Sequence, residues 1–422
     1  MRAFSLRSEV TQLFAERRWS LVGYAAVLAA LPFGGTVLSW SLIVCILCWL
    51  VDWNWSGKLA SLRLNPWVWL FVGLYVLVFA GYFYSSDKET ASFKLLQKLV
   101  LLVLPLCLAS EPATRNRSRL LTLFAVVVAL MCCVLELHAV WSFVQTRDGV
   151  AFFYDVYSYF MHTSYFAMLV SIALVIALTK AVDNNGDKRT TGIWFAMATL
   201  FCVNVLQSSS RAGVLGLALV VPVVAFALWR RRRFVARWLG PALIGLLLLT
   251  VMLAWLFSRQ TRMTTLAYAN HMDTATPAHA ESGQVRLFIW REAFGLIRQR
   301  PFTGCGTGDV DQVLEERYAA AGMTDALAKH YNTHNQYLQT WVANGLLALI
   351  LLLLIFAYGV LRSLSERNYA ALGFFLVIGF HLLFESMLER REGLFAFALF
   401  TALFLCRGPA AAQEKSSSPM LS

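Results

Sequence analysis

Residues 331–354 read YNTHNQYLQTWVANGLLALILLLL. A histidine, His334, and the amides Asn335, Gln336 and Gln339 stand at the head of an apolar run long enough to cross a bilayer. Runs of this kind recur along the whole 422-residue chain, which is 59% hydrophobic and only 14% charged. A soluble domain carries roughly 25% charged residues, so the composition points to a polytopic membrane protein. Only helices or closed barrels satisfy their backbone in lipid, and unbroken apolar runs select helices over alternating barrel strands.

Working outward from residue 336, the pattern predicts about twelve spans, at 20–34, 36–52, 66–84, 93–109, 119–146, 161–181, 192–209, 212–229, 235–257, 336–361, 369–388 and 393–407. The short runs at 212–229 and 393–407 carry the weakest signal. With the N-terminus inside, cytoplasmic segments hold 21 Lys and Arg, against seven in the short loops and span ends of the other face. Long loops are exempt from this bias, so the tally puts both termini inside and loop 258–335 outside. The expected organisation is 1–257 with nine spans, 258–335 as one large external loop, 336–407 with three spans, and 408–422 as a disordered tail. The basic N-terminal segment before residue 20 shows no small-residue cleavage site and reads as the lead into an uncleaved first helix.

The net charge of +12 is accounted for by this loop bias and does not indicate nucleic acid. Seven of the eight cysteines lie in or beside apolar spans, and Cys305 has no partner in its loop, so no disulfide framework is expected.

Polar residues in spans are costly, and here they gather in the outer halves. They are Glu136, His138 and Arg147; His162 and Tyr165; Asn204, Gln207 and the Ser208–Arg211 turn; the His334 cluster with Asn344; and His381, Glu385 and Glu389. Glu385 follows His381 by one helical turn, which would put both on one face. The inner halves are plain apolar residues, which fits a cavity open to one side better than a transporter site near the midplane.

His334 is the candidate proton acceptor. Gly345 lies about 16 Å deeper on nearly the same helical face, and with Ala348 would give a small-residue strip for close helix packing. Arg211 opens a helix whose N-terminal end would help it seat an anion. The segment QVRLFIWREAFGLIRQR (284–300) is amphipathic and expected to lie in the membrane interface. On it Arg286 and Trp290 share a face while Arg291 points elsewhere. Arg147, beside DGVAFFYDVYSYF, is a further candidate cation. Arginines without a lysine cluster suit a diphosphate. No His/Asp/Glu set has metal-ligand spacing, so neither a metal nor another cofactor is expected. Ser208–Ser210 lack a nucleophile elbow.

The stretch His334-Asn335, nine residues, Gly345, two residues, Ala348 resembles the O-antigen ligase / Wzy family of bacterial polysaccharide enzymes. Ala348 stands where that family has Gly, Thr or Tyr. SSSRAG (208–213), VRLFIWREAF with RPFTGCGTGD before the histidine, and the late single large loop extend the resemblance. It implies a GT-C-like membrane fold and a metal-independent, inverting glycosyltransferase in a Gram-negative inner membrane, with its site facing the periplasm. The donor would be a glycan on undecaprenyl diphosphate and the acceptor a sugar hydroxyl of lipid A-core. His334 would activate that hydroxyl. Arg211 and Arg286 would hold the diphosphate, with Arg147 and Arg291 as further phosphate contacts. Asn335, Gln339, Gly345 and Trp290 would support them. An O-antigen polymerase and a protein O-oligosaccharyltransferase share the superfamily, and a lipid-linked glycan transporter is the reading outside enzymes.

Overall fold

The computed structural model describes residues 19–52, 54–111, 116–183, 187–231 and 282–407. The expected span 235–257, the N-terminal basic segment and the tail 408–422 lie outside them. The described residues form helices and connecting turns, with no strand among them. In chain order the helices are α1 (Trp19–Ala30), α2 (Gly35–Val51), α3 (Trp55–Arg63), α4 (Val68–Tyr84), α5 (Lys88–Lys98), α6 (Val100–Ala109) and α7 (Arg117–Thr146). They continue with α8 (Tyr154–Tyr157), α9 (Thr163–Asp183), α10 (Lys188–Gln207), α11 (Arg211–Arg231), α12 (Ser282–Gln299), α13 (Val310–Ala320) and α14 (Thr324–Ala328), and close with α15 (Gln336–Ser365), α16 (Tyr369–Phe384) and α17 (Arg391–Leu405).

Among the described residues α7, α9, α10, α15 and the run of α5 with α6 (Lys88–Ala109) are long and apolar enough to cross a membrane, which makes five, or six if the bent pair α2–α3 counts as one span. The described residues are therefore those of an all-helical, membrane-embedded protein. α9 sits at the centre, buried along almost its whole length against α7, α10, α11 and α16. α17 is also buried nearly all round, with Phe397, Phe400 and Phe404 packed among Phe71, Phe124 and Phe374. That position explains why its apolar run is short: it fills a protein core rather than facing lipid. The carbonyls of Leu405 and Cys406 at its end accept from the guanidinium groups of Arg362 and Arg117, at 2.5 and 2.7 Å. The orphan acceptors of a helix terminus are thus satisfied where water is scarce.

Helix starts are capped by side chains in the usual way. Asn54, Asp87, Asp187, Asn335 and Asn368 each accept an N–H from the first turn of the helix that follows. Alternation along the chain puts the ends of α7, α10 and α16 and the starts of α9, α11, α15 and α17 at one end of the bundle.

At that end the segment 282–335 folds into a second, smaller core. The apolar stripe of α12, Val285, Ile289, Ala293, Leu296 and Ile297, packs with Leu314 and Tyr318 of α13, Ala326 of α14, and Leu338, Val342 and Ala343 of α15. The expected periodicity is there, and most of the stripe faces protein. Leu287 and Phe294 of the same helix remain exposed.

α15 is not one continuous helix. Gly345 sits at φ 80°, ψ 178°, a conformation essentially restricted to glycine. The glycine-rich turn 301–307 is fitted into the break. Cys305 N–H donates to Val342 O at 2.7 Å, Gly306 N–H to Ala343 O at 2.9 Å, and Leu346 N–H to Pro301 O at 2.9 Å. Asn344 Nδ2 reaches Thr307 Oγ1 at 2.9 Å, and Thr307 Oγ1 in turn donates to Val78 O at 2.6 Å. The backbone groups freed by the break thus find partners in the turn. The expected small-residue strip is realised differently. Gly345 lies against the backbone of Phe302 rather than a neighbouring helix, and the break removes the helical register between it and His334.

Candidate active site

The polar residues at this end separate into distinct sets. One surrounds a cleft of about 240 Å³. His334, Arg211 and Arg286 all line it, together with His162, Tyr331 and Glu385. Three walls come from the bundle: the start of α9, the turn Ser209–Ala212 and the end of α16. The fourth comes from the smaller core, through α12 and the α14–Tyr331 segment, where Asp325 and Lys329 stand at the rim.

His334 is held in a left-handed backbone conformation, φ 47°. Histidine is one of the few residue types that enters this region with any frequency, and such outliers concentrate at functional sites. Its surroundings fix it on both sides. His334 N–H donates to Asn332 Oδ1 at 2.9 Å. Thr333 N–H donates to Gln339 Oε1 at 3.1 Å, and Thr333 Oγ1 to Asn335 O at 2.8 Å. Asn335 caps α15 through Leu338 N–H at 3.1 Å. Trp290 Nε1 donates to Thr333 O at 2.9 Å, tying α12 to the residue before the histidine. Asn335, Gln339 and Trp290 are therefore what holds the histidine turn in place.

The imidazole has one charged partner. Its Nδ1 lies 3.2 Å from Glu385 Oε1, and the Tyr331 ring meets it edge-on at 4.9 Å. Glu385 ends α16 in an extended conformation and is buried. Burial pushes its carboxyl up, but the hydrogen bond and charge of His334, with Arg286 and His162 behind them, outweigh this and hold it below the ordinary carboxylate value. A carboxylate accepting from Nδ1–H leaves Nε2 as the free lone pair, the arrangement of an oriented general base.

Glu385 is the residue that sequence reasoning placed wrongly. Helical spacing set it on one face with His381, but α16 ends at Phe384 and turns the two apart. His381 instead lies buried in the bundle with Nδ1 2.8 Å from Val377 O. The usable signal was only that Glu385 closes an apolar helix; its partner lies 51 residues away in sequence.

The two arginines of the cleft come from different elements. Arg211 opens α11 directly after Ser210, whose Oγ accepts from Gly213 N–H at 3.2 Å and so caps the helix. Ser208 Oγ donates to Val205 O at 2.5 Å and is likewise occupied with backbone. Arg286 is half-buried one turn before Trp290. Among the described residues no hydrogen bond or ion pair engages its guanidinium. Burial works against its charge, and nearby Glu385 restores part of the loss that Arg211 adds to. Arg147 and Arg291 are exposed and do not line this cleft. Arg147 instead caps the end of α7 in a left-handed conformation.

A second polar set is buried beside the first. Glu136 of α7 accepts from Asn204 Nδ2 at 3.2 Å, Gln207 Nε2 at 3.1 Å and Tyr157 Oη at 3.3 Å. It braces the end of α10 just before the Ser208–Arg211 turn. A third contact joins Lys98 to Glu389 at 2.7 Å, with Gln336 Nε2 at 3.3 Å from the same oxygen. No group of three His, Cys, Asp or Glu converges with metal-ligand geometry among the described residues.

The cleft thus brings an imidazole–carboxylate pair and two arginines together in a membrane-embedded protein. Residues 195–353, the stretch that holds Arg211, Arg286 and His334, match the family described as O-Antigen ligase. A curated protein of Haemophilus influenzae described as "Uncharacterized protein" is 24% identical over 211 residues, covering 47% of this chain. The match spans about half the length of that relative, at 50%.

Proposed function

We propose that the protein is an O-antigen ligase, a metal-independent, inverting glycosyltransferase with about twelve spans and a GT-C-like arrangement. It moves a glycan from undecaprenyl diphosphate to a sugar hydroxyl of lipid A-core at the periplasmic face of a Gram-negative inner membrane, with both termini cytoplasmic. The observation that carries this reading is the His334–Glu385 pair at 3.2 Å, sharing one cleft with Arg211 and Arg286.

In this reading His334 Nε2 takes the proton of the acceptor hydroxyl as its oxygen attacks the anomeric carbon. The bond to the diphosphate breaks on the opposite face, which inverts the centre. The diphosphate leaves with the electron pair, and Arg211 and Arg286 stabilise the charge it gains. Glu385 keeps Nδ1 protonated and stabilises the imidazolium that forms. The diphosphate is a good leaving group, so no separate acid is needed. Asn335, Gln339, Trp290 and Gly345 support the histidine turn, and Arg147 and Arg291 would meet phosphate only outside the cleft.

The test is a transfer assay with purified protein, undecaprenyl-diphosphate glycan and lipid A-core in EDTA. Glycan on lipid A-core supports the ligase, and full activity in the chelator is expected. Activity lost in EDTA and restored by a divalent metal overturns the arginine-only mechanism. Longer glycan on the undecaprenyl carrier marks a polymerase, glycan on protein an O-oligosaccharyltransferase, and no transfer by folded protein returns the transporter reading.

Glu385→Gln is expected to lower kcat by roughly 10²–10⁴-fold with little change in KM, because the amide no longer enforces one tautomer. The sign of its pH dependence also follows. A carboxyl held low in the folded protein contributes stability that is present above its ordinary value of 4.5 and lost as pH falls through the lower folded value. The pair therefore keeps its anion in mild acid, and a loss of kcat well above pH 4.5 does not come from Glu385. Loss of the Glu385 anion above pH 4.5, read directly by carboxylate spectroscopy, would contradict this.

A further inference from the structure

The cleft holds a second imidazole. His162 lines it just before α9, on the bundle wall. We propose that His162 is the neutral hydrogen-bond donor of the site, contacting a phosphate oxygen of the lipid-linked donor through Nε2–H. This rests on the ligase-type reading above.

His162 O accepts from Tyr165 N–H at 3.0 Å and Phe166 N–H at 3.1 Å, so His162 is the capping residue of α9. Its ring joins in the capping: Ser164 N–H donates to His162 Nδ1 at 3.4 Å. An imidazole that accepts at Nδ1 carries its proton, when neutral, on Nε2. The positive end of a 21-residue helix disfavours a cation there. Although the ring is exposed to the cleft, the walls around it push its pKa below the ordinary value. Arg390 and His334 act in the same direction, against Glu385 and Asp155.

His162 and His334 are thus wired oppositely. Glu385 takes the Nδ1 proton of His334 as a hydrogen bond and frees its Nε2 to accept. The backbone of α9 supplies a proton to Nδ1 of His162 and leaves its Nε2–H to donate. One ring can take the hydroxyl proton; the other cannot. What His162 can serve is an acceptor atom, and the acceptor atoms that the two arginines draw into this cleft are phosphate oxygens. It contributes a directional bond without adding a third cation to the pair, and its own proton does not move.

Three variants separate this role from capping. His162→Asn keeps a side-chain oxygen for Ser164 N–H but is too short to replace Nε2. His162→Gln places an amide N–H where Nε2 was. His162→Ala removes both. In the full-length protein, His162→Ala and His162→Asn are expected to raise donor KM about 10- to 100-fold, with His162→Asn keeping the wild-type Tm and His162→Gln recovering most of the affinity. The acid limb of the kcat profile should be the same in all three. Wild-type KM in His162→Asn, a KM loss that tracks Tm through all three variants, or disappearance of the acid limb would each overturn the proposal. Binding of undecaprenyl diphosphate alone, read as thermal stabilisation, keeps this question apart from the reaction. Stabilisation of wild type but not of His162→Asn supports the contact even where no transfer is seen. Equal stabilisation of both overturns it, and no stabilisation of wild type overturns it together with the functional reading.

Discussion

His334→Ala is expected to lower glycan transfer by about 10²–10⁴-fold, the usual contribution of a positioned base. The substitution has two structural costs that must be separated from the chemical one. It removes a hydrogen-bond partner from the buried carboxylate of Glu385, and it puts alanine at φ 47°. Each costs on the order of 1 kcal/mol or more, so some fall in Tm accompanies the alanine variant. His334→Asn is the cleaner test. Asparagine tolerates the left-handed region and can still donate to Glu385, but it cannot take a proton. Wild-type Tm with transfer reduced to the level of the alanine variant is the expected result. Substantial transfer by His334→Asn would show that the ring orients a substrate and is not the base.

The second large effect is on folding. Gly345→Ala meets two obstacles at once. The backbone is at φ 80°, ψ 178°, where any side chain is strained, and a Cβ would stand 1.9 Å from the carbonyl oxygen of Phe302. Neither neighbour is a flexible side-chain end that could swing away. A loss of about 3 kcal/mol or more is expected, seen as a clear drop in Tm in detergent and a low yield of folded protein. Gly304→Ala should do similar harm from the other side of the contact, since its Cβ would meet Ala343 O at 2.6 Å. Ala348 lies past the break, buried in the main core, and enlarging it should cost only what overpacking costs. A Gly345→Ala protein as stable as wild type would mean that the turn and the helix break separate easily.

The elements legible in the sequence were those written in local periodicity. Apolar runs marked where helices lie, Arg211 and Arg286 were marked by their position at a helix start and on an amphipathic face, and His334 by its place before a span. What stayed hidden depended on tertiary partners. The Gly345 break does not interrupt the apolar pattern of 336–361, because the turn 301–307 that stabilises it arrives from another segment. The His334–Glu385 pair spans two helices, and Glu385 left its helical register at the very residue that matters. The stripe on α12 was visible, but amphipathicity alone does not say whether its apolar side meets lipid or protein.

The same break also marks where α15 passes from one hydrophobic core to the other. Leu338, Val342 and Ala343 lie in the smaller core, and Ala348, Leu352 and Ile355 in the larger one. His334 and Arg286 are therefore anchored to one body, and Arg211, His162 and Glu385 to the other. In the proposed reading, a diphosphate held by both arginines would act as a staple across that seam. Its binding energy would be shared by two cores that are also joined by polar bonds at this end, among them those from Ser86 and Asp87 N–H to Asp309 and the Lys94–Asp311 ion pair. The occupied protein should resist separation of the two bodies more than the empty one, so that the substrate itself completes the rigidity of the site that acts on it.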